Sequence, residues 1–95
     1  MAVVGVLTLE LRLENAHSLK DKRQVVQSLK ERLRRKFNVA VAEIDAQDLW
    51  QRATLAAVTV SSSHDFAEKV LRSVEDEAAS LLGPALADAN VEWLS

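Results

Sequence analysis

Apolar and polar side chains alternate in the amino-terminal part of the chain. Between residues 3 and 13 the pattern has a period of two, and four leucines share one face: Leu7, Leu9, Leu11 and Leu13. This period is typical of a strand with one face against a core. Residues 39–44 and 53–60 predict two more strands, and residues 91–94 predict a short last strand.

Two segments between these strands have helical periodicity instead. The first begins after Ser18, a candidate N-cap, and ends near Asn38. Its predicted buried stripe is Leu19, Val26, Leu29, Leu33 and Phe37. The second begins after the serines at 61–63, which are candidate N-caps, and ends at Gly83, which precedes a proline. Its predicted buried stripe is Phe66, Val70, Val74, Ala78 and Leu81.

The resulting βαββαβ order predicts a ferredoxin-like α+β sandwich, in which two helices cover one face of a four-stranded antiparallel sheet. The 95 residues are enough for one domain, 1–95, and two Gly with one Pro indicate long elements joined by short turns. Residues 45–52 are polar and predict a tight turn, from which Trp50 is expected to fold back onto the domain.

The sheet face away from the helices is predicted to be apolar. If the leucines of the first strand are inside, Val4 and Val6 point outward. The residues expected to form an interface on that face are Val4, Val6, Val39, Val41 and Leu55. A shift of one residue in the second and third strands would exchange their faces, so both registers remain open.

The predicted first helix is strongly basic. Residues 19–36 hold eight Lys and Arg against Asp21 and Glu31, a local charge of +6, whereas the whole chain has a net charge of −2. Several of these bases recur along one helix flank, a surface suited to phosphate contacts. The candidate nucleic-acid-binding residues are Lys20, Lys22, Arg23, Lys30 and Arg34.

Three of these bases, Lys20, Lys22 and Arg23, fall at the start of the helix, where the helix dipole disfavours cations. A compensating anion is therefore expected nearby. It is either an internal acid or an external phosphate bound at the helix end. The internal candidates are Glu14, Asp45 and Asp48.

The sequence favours no catalytic residue, cofactor or metal site. It has no Cys, and its two histidines, His17 and His64, have no metal-ligand spacing. With two glycines it has no glycine-rich phosphate loop. The acids Glu43, Asp45 and Asp48 either hold a divalent cation or, as we favour, pair with nearby bases or cap the following turn. No apolar segment approaches a signal peptide or membrane span in length, which predicts a cytoplasmic protein.

Three blocks, at residues 18–23 (SLKDKR), 37–43 (FNVAVAE) and 48–53 (DLWQRA), resemble the YlxP-like family of small bacterial proteins of unknown function. The resemblance implies the same ferredoxin-like fold. It also implies genes that lie beside those for translation initiation and ribosome maturation factors, and it carries over no established catalytic residues.

Two functions follow as hypotheses. The first is a non-catalytic RNA- or ribosome-associated protein that contacts phosphates through the basic helix. The alternative is a protein-interaction module that forms a homodimer through the open sheet face. Base stacking on the sheet is not expected, because Phe37 and Phe66 belong to the predicted core stripes.

Overall fold

The computed structural model describes all residues, Met1–Ser95, and has the predicted βαββαβ order. The strands are β1 (Val3–Arg12), β2 (Ala40–Asp45), β3 (Arg52–Ser61) and β4 (Leu86–Trp93). The helices are α1 (Leu19–Lys36) and α2 (His64–Leu82), and a 3₁₀ turn (Gly83–Ala85) joins α2 to β4. Strand β4 starts earlier than residues 91–94 suggested, because its polar residues pair along β1.

The four strands form one antiparallel sheet in the order β2-β3-β1-β4. Strand β1 lies in the centre, and its leucines face the same side as the buried residues of β3 and of both helices. This arrangement is the ferredoxin-like sandwich. Neither helix is both long and apolar enough to span a membrane.

Hydroxyl groups cap both helices as the sequence predicts. Ser18 Oγ accepts the backbone N–H of Asp21 at 3.1 Å, and Ser63 Oγ accepts that of Phe66 at 3.2 Å. Each cap satisfies one of the backbone donors that a helix start leaves without an intrahelical partner.

The predicted stripe of α2 is wrong in part. Phe66 and Leu81 are exposed to 60% and 42%, whereas the buried residues of the helix are Ala67, Leu71, Val74 and Ala78. Both stripes have helical spacing in the sequence. The observed one places two alanines against the sheet, and their small side chains allow a close approach of helix and sheet.

The structure corrects the predicted interface on the open face of the sheet, which we define as the face away from the helices. Val4 and Val6 do lie on it, and they pair with Val60 and Val58 of β3. The other three predicted residues face the helices: Val41 and Leu55 are buried to 8% and 0% exposure, and Val39 packs against the core. The pairing of β1 with β3 decides this, because it sets Leu55 opposite Leu9.

Gly5 allows the end of β4 to close over the core. A Cβ atom at this position would lie 2.7 Å from Cζ3 of Trp93 and 2.8 Å from Cδ1 of Leu71. The leucine methyl can rotate away, but the indole is rigid and is held by the strand pairing of β4 with β1.

We expect Gly5→Ala to lower the free energy of unfolding by about 1–3 kcal/mol, the usual cost of overpacking a core. Urea denaturation measures the change. In a Trp93→Ala background the same substitution should cost less, because its main obstacle is gone. Equal costs in both backgrounds would contradict this packing explanation.

Candidate nucleic-acid interface

Four bases of α1 form what we call the basic flank: Lys20, Arg23, Lys30 and Arg34. At 100° per residue they lie within a sector of roughly 80° around the helix axis. Lys20, Arg23 and Arg34 are exposed, Lys30 is partly exposed, and none makes an ion pair. The flank is therefore a row of uncompensated positive charges.

The opposite side of α1 carries bases that are compensated. The Glu77 carboxylate of α2 forms ion pairs with Arg32 Nη1 at 3.1 Å and with Lys36 Nζ at 2.7 Å. The hydrogen bond from Lys36 is the main reason why the pKa of Glu77 is lowered from its ordinary value, and partial burial opposes it. Because these two cations face α2 and lie opposite the basic flank, the basic flank points away from α2.

Lys22 is not on the surface, and its predicted contact with nucleic acid is wrong. The side chain is 1% exposed. Its Nζ donates hydrogen bonds to the carbonyl oxygens of Ala46 at 2.5 Å and Leu49 at 2.7 Å. Oε2 of Glu43 lies 2.9 Å from Lys22 Nζ in an ion pair, and no other group donates a hydrogen bond to it.

The expected internal acid thus exists, but it is Glu43 rather than Glu14, Asp45 or Asp48. Glu43 pairs with Leu55 in the sheet, which places it on the face toward the helices and under α1. Arg23, by contrast, has no internal partner. Of the basic residues at the start of α1, Lys22 is therefore structural, whereas Lys20 and Arg23 are free to meet a ligand.

The acids of this region do not converge on a common point. Glu43 pairs with Lys22, and the Asp45 carboxylate accepts the backbone N–H of Ala46 at 2.8 Å. A different set has ligand atoms within 4.8 Å of one another, at the start of α2: His64, Asp65 and Glu68. All three are exposed, and the positive end of the helix already accounts for carboxylates there.

The hairpin loop, residues 46–51 between β2 and β3, is fastened on both sides. Lys22 holds the carbonyls of Ala46 and Leu49 from one side. On the other, the Gln51 amide donates to the carbonyls of Glu14 and Ala16 at 3.3 Å, and the Gln51 carbonyl accepts the N–H of Leu13 at 2.8 Å.

Trp50 does not fold back onto the domain, contrary to expectation. It is 52% exposed, and its neighbour Leu49 is 49% exposed. The ammonium of Lys22 binds the loop backbone from inside, so backbone rather than indole faces α1. The polar character of residues 45–52 was the available signal that this tryptophan has few apolar neighbours.

The comparisons with known proteins identify relatives of unknown function. A family model described as "Protein of unknown function (DUF503)" matches residues 4–90. The uncharacterized protein YlxP of Bacillus subtilis (strain 168) is 40% identical over 72 residues, which cover 76% of this chain and 78% of that protein. The resemblance of the three sequence blocks to the YlxP-like family is thereby confirmed.

Solved structures show the fold. The de novo designed protein Foldit4 has a TM-score of 0.64 at 13% identity, covering 100% of this chain and 98% of the design. A putative antibiotic biosynthesis monooxygenase from Bordetella bronchiseptica has a TM-score of 0.57 at 17% identity, covering 100% and 97%. A dimeric ferredoxin-like protein of unknown function from Thermobifida fusca YX has a TM-score of 0.51 at 15% identity, covering 97% and 91%.

We expect Lys22→Met to destabilise the protein by about 3 kcal/mol, the lower end of the range for breaking a buried ion pair. The lower end applies because Glu43 keeps 17% exposure and can be partly hydrated. Thermal and urea unfolding measure the loss. Adding Glu43→Gln should recover part of it by removing the unpaired carboxylate. A single variant as stable as the wild type would contradict the structural role of Lys22.

Proposed function

The chain belongs to the DUF503 family of proteins of unknown function, and from this premise we propose that it is an RNA- or ribosome-associated protein that contacts phosphates through α1. One observation carries the proposal. The four cations of the basic flank are without acidic partners, whereas Lys22, Arg32 and Lys36 of the same helix are paired.

The two acids of α1 make no ion pair with the basic flank. The Asp21 carboxylate accepts the backbone N–H of His17 at 2.9 Å, and the Glu31 carboxylate accepts the amide of Gln27 at 3.0 Å. Phosphate groups are strong acceptors for Lys and Arg, and each contact releases counterions from the nucleic acid. A row of cations along about 21 Å of helix suits a nucleic-acid backbone better than a small anion.

This proposal assigns the protein no catalytic residue and no cofactor. The flank consists of flexible cations, which position a polyanion and, in their protonated form, act neither as nucleophiles nor as general bases. Association with RNA or ribosomes would place the protein in the cytoplasm.

We expect the double variant Lys30→Glu/Arg34→Glu to weaken RNA binding and to reduce its salt dependence. If the four cations each contact a phosphate, the wild type should lose affinity on the order of a hundredfold between about 50 and 200 mM salt. The variant should lower the slope of log affinity against log salt by about two. Its melting temperature should change little, because exposed charges contribute little to stability.

The matched control is Lys69→Glu/Arg72→Glu, which reverses two exposed bases on α2 and changes the net charge equally. It should bind RNA nearly as the wild type does. Fluorescence anisotropy with labelled RNA and ribosome co-sedimentation compare the two. If both variants weaken RNA binding equally, the effect arises from the net charge of the protein and not from the basic flank, which would contradict the proposal.

A second candidate function is homodimerisation through the open face. Val4, Val6, Val58 and Val60 form adjacent cross-strand pairs there, and Ala40 lies opposite Val58 on β2. Contiguous apolar surface on a sheet is commonly covered by a partner. The structurally similar Thermobifida fusca protein is described as dimeric, so a dimer is compatible with this fold.

We expect Val6→Glu to give monomers if the open face is the dimer interface, because it buries an unpaired carboxylate in the contact. Light scattering or sedimentation measures the mass. Leu81→Glu, on the exposed side of α2, is the control and should leave the mass unchanged. A wild-type protein that is monomeric at high concentration would rule out this function.

A further inference from the structure

We propose that Trp50 is a stacking platform for an unpaired base of single-stranded RNA, held beside the phosphate-binding flank of α1. This inference rests on the proposed RNA association and narrows its ligand to RNA with accessible bases. The sheet of this protein offers no aromatic residue on its open face, so the hairpin loop would supply the stacking that the sheet does not.

The first observation is that Trp50 is fixed in its backbone but free in its side chain. Leu49, before it, is held through its carbonyl by Lys22. Gln51, after it, is held by three hydrogen bonds to the segment that precedes α1. The indole between them is 52% exposed. A loop backbone that is fixed in advance does not have to be ordered when a ligand binds, which lowers the entropy cost of binding.

The second observation is the position of Trp50 relative to the cations. Since Lys22 Nζ binds the carbonyl of Leu49, the loop lies one lysine side chain away from the first turn of α1. That turn also carries Lys20, and Arg23 directly follows Lys22. Lys20 and Arg23 are both exposed and without ion pairs. A strand whose phosphates follow the basic flank therefore reaches the loop at the start of the helix.

The surroundings of the indole fit a base. Trp50 and Arg52 border an open cleft of about 360 Å³ together with Asp48. Arg52 is exposed and makes no ion pair. The cleft thus combines a flat apolar surface and an unpaired guanidinium group, with which proteins bind unstacked bases, with the carboxylate of Asp48, which can accept from a base N–H group.

The other exposed aromatic residues lack this setting. The pairing of Val3 with Ser61 places the start of α2 and the end of β4 at the opposite end of the domain from the hairpin loop. Phe66 and Trp93 are there, next to the acids Asp65 and Glu68. Phe66 belongs to α2 and Trp93 lines a cleft with Leu71 of α2, whereas the basic flank points away from α2, so these two rings are natural controls.

Binding measurements with three probes, two of them RNA, test the inference. The probes are a single-stranded uridine decamer, a duplex RNA of the same length and inorganic polyphosphate. Trp50→Ala should weaken binding of the decamer roughly 5- to 150-fold, the range for one stacked base. Binding of the duplex and of polyphosphate should not change, because a duplex hides its bases and polyphosphate has none. The salt slope should also stay the same, since no charge is removed.

Companion variants keep the result interpretable. Trp50→Phe retains an aromatic ring and should recover most of the decamer affinity. Phe66→Ala removes a ring that is exposed to 60%, somewhat more than Trp50, and should have no effect. In a Trp93→Phe background, Trp50 is the sole tryptophan, and the decamer should quench its fluorescence whereas the duplex should not. A thermal melt of each variant confirms folding.

The outcomes separate the two proposals. If Trp50→Ala binds the decamer as the wild type does, or if its affinities for decamer and duplex fall equally, the stacking proposal is overturned. If Lys30→Glu/Arg34→Glu then still weakens the binding of both RNAs, the proposed phosphate binding by α1 stands without base stacking. If the wild type binds neither RNA, both proposals fail, and the loop is to be sought as a protein contact.

Discussion

A buried ammonium group joins the first helix of this protein to the hairpin between its second and third strands. Burying a lysine is costly unless its donors and its charge are both satisfied. Here two backbone carbonyls accept from Lys22 Nζ, and the carboxylate of Glu43 supplies the opposite charge. The position of the hairpin loop depends on this interaction, and so does the outward direction of Trp50.

Ion pairs distinguish three bases of α1 from the other five, which are the four of the basic flank and Arg35. Lys22 points into the domain, and Arg32 with Lys36 binds Glu77 across the interface with α2. The bases of the basic flank point in neither direction. One helix therefore serves both as a structural element with internal ion pairs and as a surface with uncompensated charge. Its total charge describes neither role.

The sheet separates the candidate functions in space. Its open face offers aliphatic side chains at the end where β1 begins, with Val4 and Val60 as partners. The basic flank and the hairpin loop belong to the other side of the sheet, where the helices lie. Dimerisation through the open face and phosphate binding through α1 are thus geometrically compatible in one molecule.

Local patterns determined the order of the elements, the fold class, the capping serines and the leucine face of β1, because each depends on residues a few positions apart. The charge of α1 was equally visible in the sequence. Tertiary structure alone decided which base was buried, which stripe of α2 faced the sheet and which face held Leu55. These choices depend on partners distant in sequence: Lys22 bonds across 24 and 27 positions, and Leu55 faces the core because it pairs with Leu9. A one-residue shift in register or a helix rotation leaves the sequence periodicity unchanged, so packing and the cost of burying an unpaired charge made the selection.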